Sequence, residues 1–309
     1  MKTLHFASLL ALTVASSFLF SSAKAGLFKA DIDFKPEVAL PVFKEKHPVV
    51  LFDQAHLNLA VTDGRYSPLI HLLESDGFQV KPVTTKITAA VLAGGDILYI
   101  SGAQAATNEK VLGTTKSAFT EEEELLIQGW VKNGGSLLLM ADHAPIGDAV
   151  HSLAAKFQVS VSDGETNDPQ NYLPALQDTS HLLFTMENHL LMDHPIVHGQ
   201  NKNEALHRVV AFSGQSVKGP SDSRPILGLS PTAENYLKNG GKSPVGTGYC
   251  EAVSFTYGKG RVVVFGDATV FTSKFHTVKN EKEGMNRTDI DNVKMATNTF
   301  RWLAEAQEK

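Results

Sequence analysis

Three aspartates follow three apolar segments of this sequence, and two of them have a histidine close by. The aspartates are Asp53, Asp142 and Asp267, and the histidines are His56 and His143. A histidine beside a carboxylate is suited to proton transfer, and both side chains can also hydrogen-bond a polar ligand. The pattern therefore indicates a candidate site built from residues that are far apart in the sequence.

Two interpretations of the aspartates remain open. In an open parallel sheet, ligands bind outside the carboxyl ends of the strands, so acids at several strand ends can form one shared site. Aspartate is also common at strand ends because its side chain accepts hydrogen bonds from the backbone amides that follow. In that case the three aspartates are separate turn caps.

Within a shared site, the candidate residues divide between ligand contact and catalysis. Asp53, His56 and Asn58 lie in one loop after an apolar run, and we expect them to contact a ligand. Asp142 and His143 lie between a predicted strand and a predicted helix, where side chains face the ligand crevice of such sheets.

The catalytic candidates are Asp142, His143 and Asp267. In a hydrolase, His143 or Asp142 would activate a water molecule and Asp267 would orient it. A divalent metal ion remains open as a cofactor, although the spacing matches no zinc signature such as H-E-x-x-H.

Other residues that could carry chemistry have simpler explanations. His189, His194 and His198 share no helical spacing and Pro195 interrupts them, so we predict a turn rather than a metal site. Cys250, the single cysteine, has no basic neighbour to stabilise a thiolate, and we expect a buried, inert side chain. The motifs G-x-S-x-G, G-x-G-x-x-G and G-x-x-x-x-G-K-[ST] are absent from the sequence, which argues against an α/β-type serine hydrolase and against a nucleotide cofactor.

The elements that must position these residues alternate between strands and helices, which predicts a parallel sheet. Thr120 to Glu123 has the pattern of a capping box at a helix start. The predicted strands cover 49–52, 78–80, 96–100, 136–141, 251–257 and 261–265, and the predicted helices cover 66–76, 120–130, 148–157 and 291–306.

The N-terminus and the charge bear on location and partners. Residues 1–25 have a basic start, a short apolar run and an A-x-A-like end, which predicts a cleaved signal peptide and a periplasmic or secreted protein. No later apolar stretch is long enough to span a membrane. Cleavage leaves 26 of the 28 basic side chains against 33 acidic ones, a charge of −7, so nucleic acid is not an expected partner.

Five segments carry a resemblance to a known superfamily: 50–58 (VLFDQAHLN), 130–139 (WVKNGGSLLL), 193–196 (DHPI), 260–267 (GRVVVFGD) and 284–286 (GMN). They resemble an exported bacterial branch of the class I glutamine amidotransferase-like superfamily, whose relatives include ThuA-like proteins and domains of gliding-motility and intraflagellar-transport proteins. The resemblance implies an α/β fold, a flavodoxin-like three-layer sandwich with a mostly parallel central sheet. Asp142 and His143 occupy the place of the glutaminase cysteine, so the resemblance does not imply glutaminase activity.

We therefore expect a signal peptide at 1–25, an N-terminal arm at 26–47, and a glutamine amidotransferase-like domain at 48–309 with a loop-rich insertion around 159–244. The leading functional hypothesis is binding of a small polar ligand, sugar-like or derived from the cell envelope, at the carboxyl edge of the sheet. The alternatives are a metal-assisted or His/Asp-dependent hydrolase, and a scaffold component of an envelope complex.

Overall fold

A seven-stranded sheet forms the centre of the computed structural model, which describes residues 28–105 and 117–304. In chain order, the strands are β1 (Phe28–Ala30), β2 (Val49–Asp53), β3 (Gln79–Val83), β4 (Ile97–Ser101), β5 (Ser136–Met140), β6 (Ser160–Val161), β7 (Glu165–Asn167), β8 (Leu183–Thr185), β9 (Arg208–Val210), β10 (Val217–Lys218), β11 (Arg224–Leu227), β12 (Glu234–Tyr236), β13 (Lys242–Pro244), β14 (Ala252–Tyr257), β15 (Gly260–Phe265), β16 (Ser273–His276) and β17 (Glu281–Gly284). The α-helices are α1 (Ser67–Ser75), α2 (Ala89–Leu92), α3 (Glu121–Lys132), α4 (His151–Lys156), α5 (Pro195–His198) and α6 (Asn292–Ala304).

The central sheet is mostly parallel, as predicted. Its strand order is β11-β14-β15-β5-β4-β2-β3, and the five strands from β15 to β3 run parallel. Strands β14 and β15, predicted as strands at 251–257 and 261–265, pair antiparallel as a hairpin near one end of the sheet. The architecture is therefore the flavodoxin-like α/β fold that the sequence implied.

Both faces of the sheet are covered by helices, which makes three layers. Along β2, Phe52 packs into a core with helices α1 and α6, whereas its neighbour Leu51 packs into a second core with α3 and α4. Tyr99 and Leu98 divide between the same two cores along β4. Because successive strand residues point to opposite faces, continuous apolar runs are what a sheet buried on both sides requires.

The register of the parallel strands brings their carboxyl ends to one edge. Met140 at the end of β5 pairs with Ser101 of β4 on one side and with Phe265 of β15 on the other. The Ala141 amide extends the second pairing by donating to the Phe265 carbonyl at 2.8 Å. We call this edge, where β2, β4, β5 and β15 end, the carboxyl edge.

The region predicted as a loop-rich insertion, 159–244, contains eight short strands, β6 to β13. One of them, β11, pairs antiparallel with β14 and becomes an outer strand of the central sheet. The others form small sheets of two or three strands. The region is therefore richer in strands than its poor periodicity indicated.

The predicted signal peptide at 1–25 lies outside the described residues, as do the first two positions of the predicted arm, 26–27, and the last two of the final helix, 305–306. Export therefore stays a prediction from the sequence. Within 28–105 and 117–304, no helix combines the length and the apolar character needed to cross a lipid bilayer.

A buried ion pair fastens the N-terminal arm and α6 to the body of the domain. Arg301 donates from Nε and Nη2 to the two carboxylate oxygens of Asp76 at 2.6 and 2.7 Å, and its Nη1 lies 3.0 Å from Glu204. On the arm, Arg301 donates to the Leu40 carbonyl and the Val42 amide donates to Asp76. Removing the guanidinium would leave two acids without their cation.

We expect Arg301→Met to lower the free energy of unfolding by about 3 kcal/mol, because breaking a buried ion pair leaves uncompensated charge. Urea unfolding of the two proteins measures this loss. Lys86→Met is the matched control, since Lys86 forms an exposed pair with Glu122 at 3.1 Å and should cost less than about 0.5 kcal/mol. Equal losses in the two variants would contradict a structural role for the buried pair.

Candidate functional site

The carboxyl edge carries all six residues that the sequence singled out. Asp53 ends β2, Asp142 lies two residues beyond β5, and Asp267 lies two residues beyond β15. Because β5 and β15 are neighbours, Asp142 and Asp267 come from adjacent strands, whereas β4 separates the loop of Asp53 from them. Strands lie about 5 Å apart, so the edge has an Asp142/Asp267 part and an Asp53 part roughly 10 Å away.

The loop after β2 is organised around the Asp53 carboxylate. Asp53 lies 2.9 and 3.0 Å from Nδ1 of His56, and it accepts hydrogen bonds from the Ala55 amide at 3.2 Å and the Asn58 side chain at 3.0 Å. Asn58 also donates to the Ser101 carbonyl at the end of β4. These predicted ligand-contact residues are therefore engaged with one another and with the sheet.

A fourth member of this cluster, Glu123, was not predicted as a site residue. One of its carboxylate oxygens completes the capping box of α3 by accepting from the Thr120 amide at 3.0 Å. The other oxygen accepts from the Ile87 amide at 3.0 Å and lies 3.2 Å from Nε2 of His56. The capping box was visible in the sequence, but the contact with His56 depends on folding.

His56 thus lies between two carboxylates, and only 8% of it is exposed. Burial alone lowers the pKa of His56, but the hydrogen bonds and charges of Asp53 and Glu123 outweigh it, so the pKa is raised above its ordinary value. A protonated His56 donates from both ring nitrogens and offers no lone pair to a ligand. Its contacts are those of a brace between the β2 loop and α3.

Asp267 is fully buried, and both its carboxylate oxygens accept backbone hydrogen bonds. The donors are the amides of Phe212 at 2.7 Å, Thr269 at 2.8 Å and Val270 at 3.0 Å. Burial, and then the charge of Asp142, nevertheless raises the pKa of Asp267 to about 7. Asp267 therefore caps a turn and also shares the electrostatic field of Asp142, so the two sequence interpretations apply to the same residue.

Asp142, His143 and Asn58 are the predicted residues that are partly exposed, and the Asn58 amide is already engaged with Asp53 and Ser101. The exposed fraction of the side chain is 15% for Asp142 and 33% for His143. Asp142 Oδ1 accepts a hydrogen bond from the His143 amide at 2.7 Å, and Nδ1 of His143 lies 3.0 Å from the Ala144 carbonyl oxygen. With a proton on Nδ1, Nε2 of His143 is an acceptor, and it lies 3.7 Å from Asp142 Oδ1, so the two side chains form one pair.

Beneath this part of the edge lies a second buried acid, Glu251. Neither of its carboxylate oxygens has a hydrogen-bond partner within the described residues. Burial, and then the charge of Asp267, holds the pKa of Glu251 well above its usual range. A Cβ at Gly214 would lie 2.6 Å from Glu251 Oε1, so only glycine leaves room for this carboxyl.

The structure confirms that Cys250 is buried, but the segment of His194 and His198, predicted as a turn, contains the short helix α5. His194 caps the short helix α5 by accepting from the Ile196 amide, and burial is the main cause that lowers its pKa to about 4. Cys250 is buried, and burial raises the pKa of its thiol to about 12. No group of three His, Cys, Asp or Glu side chains in the described part of the chain is arranged to hold a metal ion.

Solved structures with a similar fold are known. The N-terminal domain of mmIFT52 is similar over 82% of this chain and 97% of its own, at 14% identity and a TM-score of 0.58. The similarity shows that the two domains share a fold. Other similar structures are a cytoplasmic protein from Salmonella typhimurium (14% identity, 83% of this chain and 98% of that one, TM-score 0.49) and a ThuA-like protein from Bacteroides uniformis (15%, 86% and 95%, 0.47). No protein-family model and no curated protein matches the chain.

The position of His56 between two carboxylates predicts that mutating it lowers thermal stability in a pH-dependent way. A histidine whose folded pKa is raised stabilises the fold fully below its unfolded value of 6.5, and this contribution is lost as pH rises through the folded pKa. We expect His56→Gln to lower the thermal midpoint by roughly 3–6 °C at pH 6 and by less at pH 9. His71→Gln, which removes an exposed histidine beside Glu37, is the control. A loss that does not change with pH would contradict a protonated brace.

Glu251 predicts the opposite outcome. Above pH 4.5 the unfolded chain releases this proton while the folded chain retains it, so the native protein loses stability as pH rises. We expect Glu251→Gln, which cannot ionise, to raise the thermal midpoint by a few degrees at pH 8 and to change it little at pH 4.5. Glu74→Gln on the exposed face of α1 is the control. A Glu251→Gln protein less stable than wild type at pH 8 would show that the carboxylate is ionised and partnered.

Proposed function

We propose that this domain binds a small neutral hydroxylated ligand, such as a sugar, at the carboxyl edge, with Asp142 and His143 as the contacting side chains. We also propose that it does so as an exported protein, on the grounds of the N-terminal sequence. The observation that carries the binding proposal is the division of the edge by exposure. Asp53, His56 and Asp267 are buried in internal hydrogen bonds, whereas Asp142 and His143 reach solvent.

The hydrogen-bonding capacity of these two side chains suits hydroxyl groups. A carboxylate accepts from hydroxyl donors, and its two oxygens together have about four lone-pair positions, of which the His143 amide uses one. The Nε2 atom of a neutral His143 is a further acceptor. A ligand with adjacent hydroxyls can therefore donate to both side chains at once.

Charge favours a neutral ligand over an anionic one. Asp142 already acts on Asp267 strongly enough to contribute to its raised pKa. An incoming phosphate or carboxylate would add to this repulsion. Hydroxyl groups bring donors without negative charge.

Binding is better supported than hydrolysis because Asp267 is poorly placed for the role that a hydrolase would give it. An acid that orients a water molecule must reach that water, but Asp267 is 0% exposed and its oxygens accept hydrogen bonds from three backbone amides. Asp142 and His143 could activate water alone. That arrangement would lack the water-orienting acid that the hydrolase hypothesis assigns to Asp267.

The test is calorimetric titration of the wild type and variants with neutral monosaccharides: glucose, galactose, mannose and N-acetylglucosamine. We expect Asp142→Asn and His143→Ala to weaken binding at least tenfold. The thermal midpoint should stay equal or rise in Asp142→Asn, because the substitution relieves the repulsion of Asp267. Asp33→Asn on the exposed arm is the control.

Two outcomes would overturn this proposal. If the wild type binds none of the sugars, the proposed ligand class is wrong. If Asp142→Asn binds a sugar with unchanged affinity, the proposed site is wrong. Steady release of product from nitrophenyl glycosides of the same sugars by the wild type, abolished by Asp142→Asn, would establish the hydrolase instead.

A further inference from the structure

Two leucines at the carboxyl edge present their side chains to solvent. Leu57 is 51% exposed and Leu59 is 42% exposed. Leu57 also has a φ of +50°, in the left-handed region that branched residues rarely adopt. A left-handed leucine costs on the order of 1 kcal/mol, and such strain persists only where the surrounding structure imposes it.

The residues around this leucine pair, Leu57 and Leu59, hold the loop in its strained conformation. On the near side, the His56 carbonyl accepts the Gln104 amide at 2.8 Å, and the His56 ring is held by its two carboxylates. On the far side, the Leu59 amide donates to the Gly102 carbonyl at 2.8 Å. The loop between these anchors has little freedom, so the leucines are presented in one fixed position.

This position is next to the proposed ligand site. A Cβ at Gly102 would lie 3.0 Å from the Leu59 Cβ, so the loop lies directly on the end of β4. Strand β4 is the neighbour of β5, whose end carries Asp142 and His143. Although Asp53 lies two strands from Asp142, the same loop reaches over the end of β4, so Leu59 lies one strand from the end of β5.

We propose that Leu57 and Leu59 determine ligand specificity by packing against an aliphatic substituent of a ligand whose hydroxyl groups contact Asp142 and His143. The ligand class is then an alkyl-bearing hydroxylated compound, such as a glycoside with an aliphatic aglycone. This inference rests on the proposed function, because the polar end of the ligand is assigned there. Covering a half-exposed leucine with alkyl carbon improves affinity by about tenfold.

Because Leu57 is strained, the thermal midpoint of a Leu57 variant distinguishes a leucine held for ligand contact from one held for packing. Asparagine tolerates the left-handed region better than leucine does, so Leu57→Asn should leave the thermal midpoint equal or higher. A leucine held for packing would instead lower the midpoint when replaced. Leu125→Ser is the matched control, because Leu125 is also 51% exposed but lies on α3.

The experiment compares methyl and hexyl β-glycosides of the four sugars by calorimetry, below micelle-forming concentrations. We expect the wild type and Leu125→Ser to bind a hexyl glycoside about tenfold more tightly than its methyl counterpart. Leu57→Asn and Leu59→Ser should abolish this preference while their affinity for the methyl glycoside stays within twofold of wild type.

The outcomes separate this inference from the proposed function. Equal affinities of the wild type for methyl and hexyl glycosides, with both lost in Asp142→Asn, would overturn the role of the leucine pair and retain the proposed site. A hexyl preference that depends on Leu57 but not on Asp142 would overturn the proposed site. Absence of binding to every glycoside would overturn both.

Discussion

The parallel register of β2, β4, β5 and β15 is the constraint on which the rest of the structure depends. It ends four strands at one edge and brings together acids that are more than two hundred positions apart in sequence. Carboxylates collected in this way repel one another unless a cation, a proton or amide donors compensate them. Asp53 has His56, Asp267 has three backbone amides, and burial favours the protonated form of Glu251.

This compensation divides the residues of the edge into a buried group and a partly exposed group. Residues that neutralise one another, such as Asp53, His56 and Glu123, fix the loops but have little capacity left for a ligand. Asp142 and His143 retain hydrogen-bonding capacity because their loop carries them into partial exposure. The buried residues therefore affect a ligand only by positioning Asp142 and His143.

The sequence was sufficient for the order of elements at the centre of the fold, because apolar runs and helix signals are local. The capping box at Thr120 and Glu123, the β14–β15 hairpin and the buried Cys250 all follow from neighbouring residues. It was not sufficient for contacts that depend on folding. Glu123 reaches His56 across 67 positions, and β11 joins the sheet from a region without a clear period. Nor could it distinguish the accessible Asp142 from the buried Asp267, since both follow an apolar strand.

Several local features of the carboxyl edge work against stability, and their coincidence is informative. Asp142 repels Asp267, Glu251 lacks a partner within the described residues, and Leu57 holds a strained and exposed conformation. Stability alone would favour asparagine at position 142 and glutamine at position 251. At position 57 it would favour glycine or asparagine. By contrast, β4 and β5 follow ordinary rules, with continuous burial, and Asp76 and Arg301 are well paired. Violations of those rules that gather at one edge are expected where function, rather than folding, determines the residue.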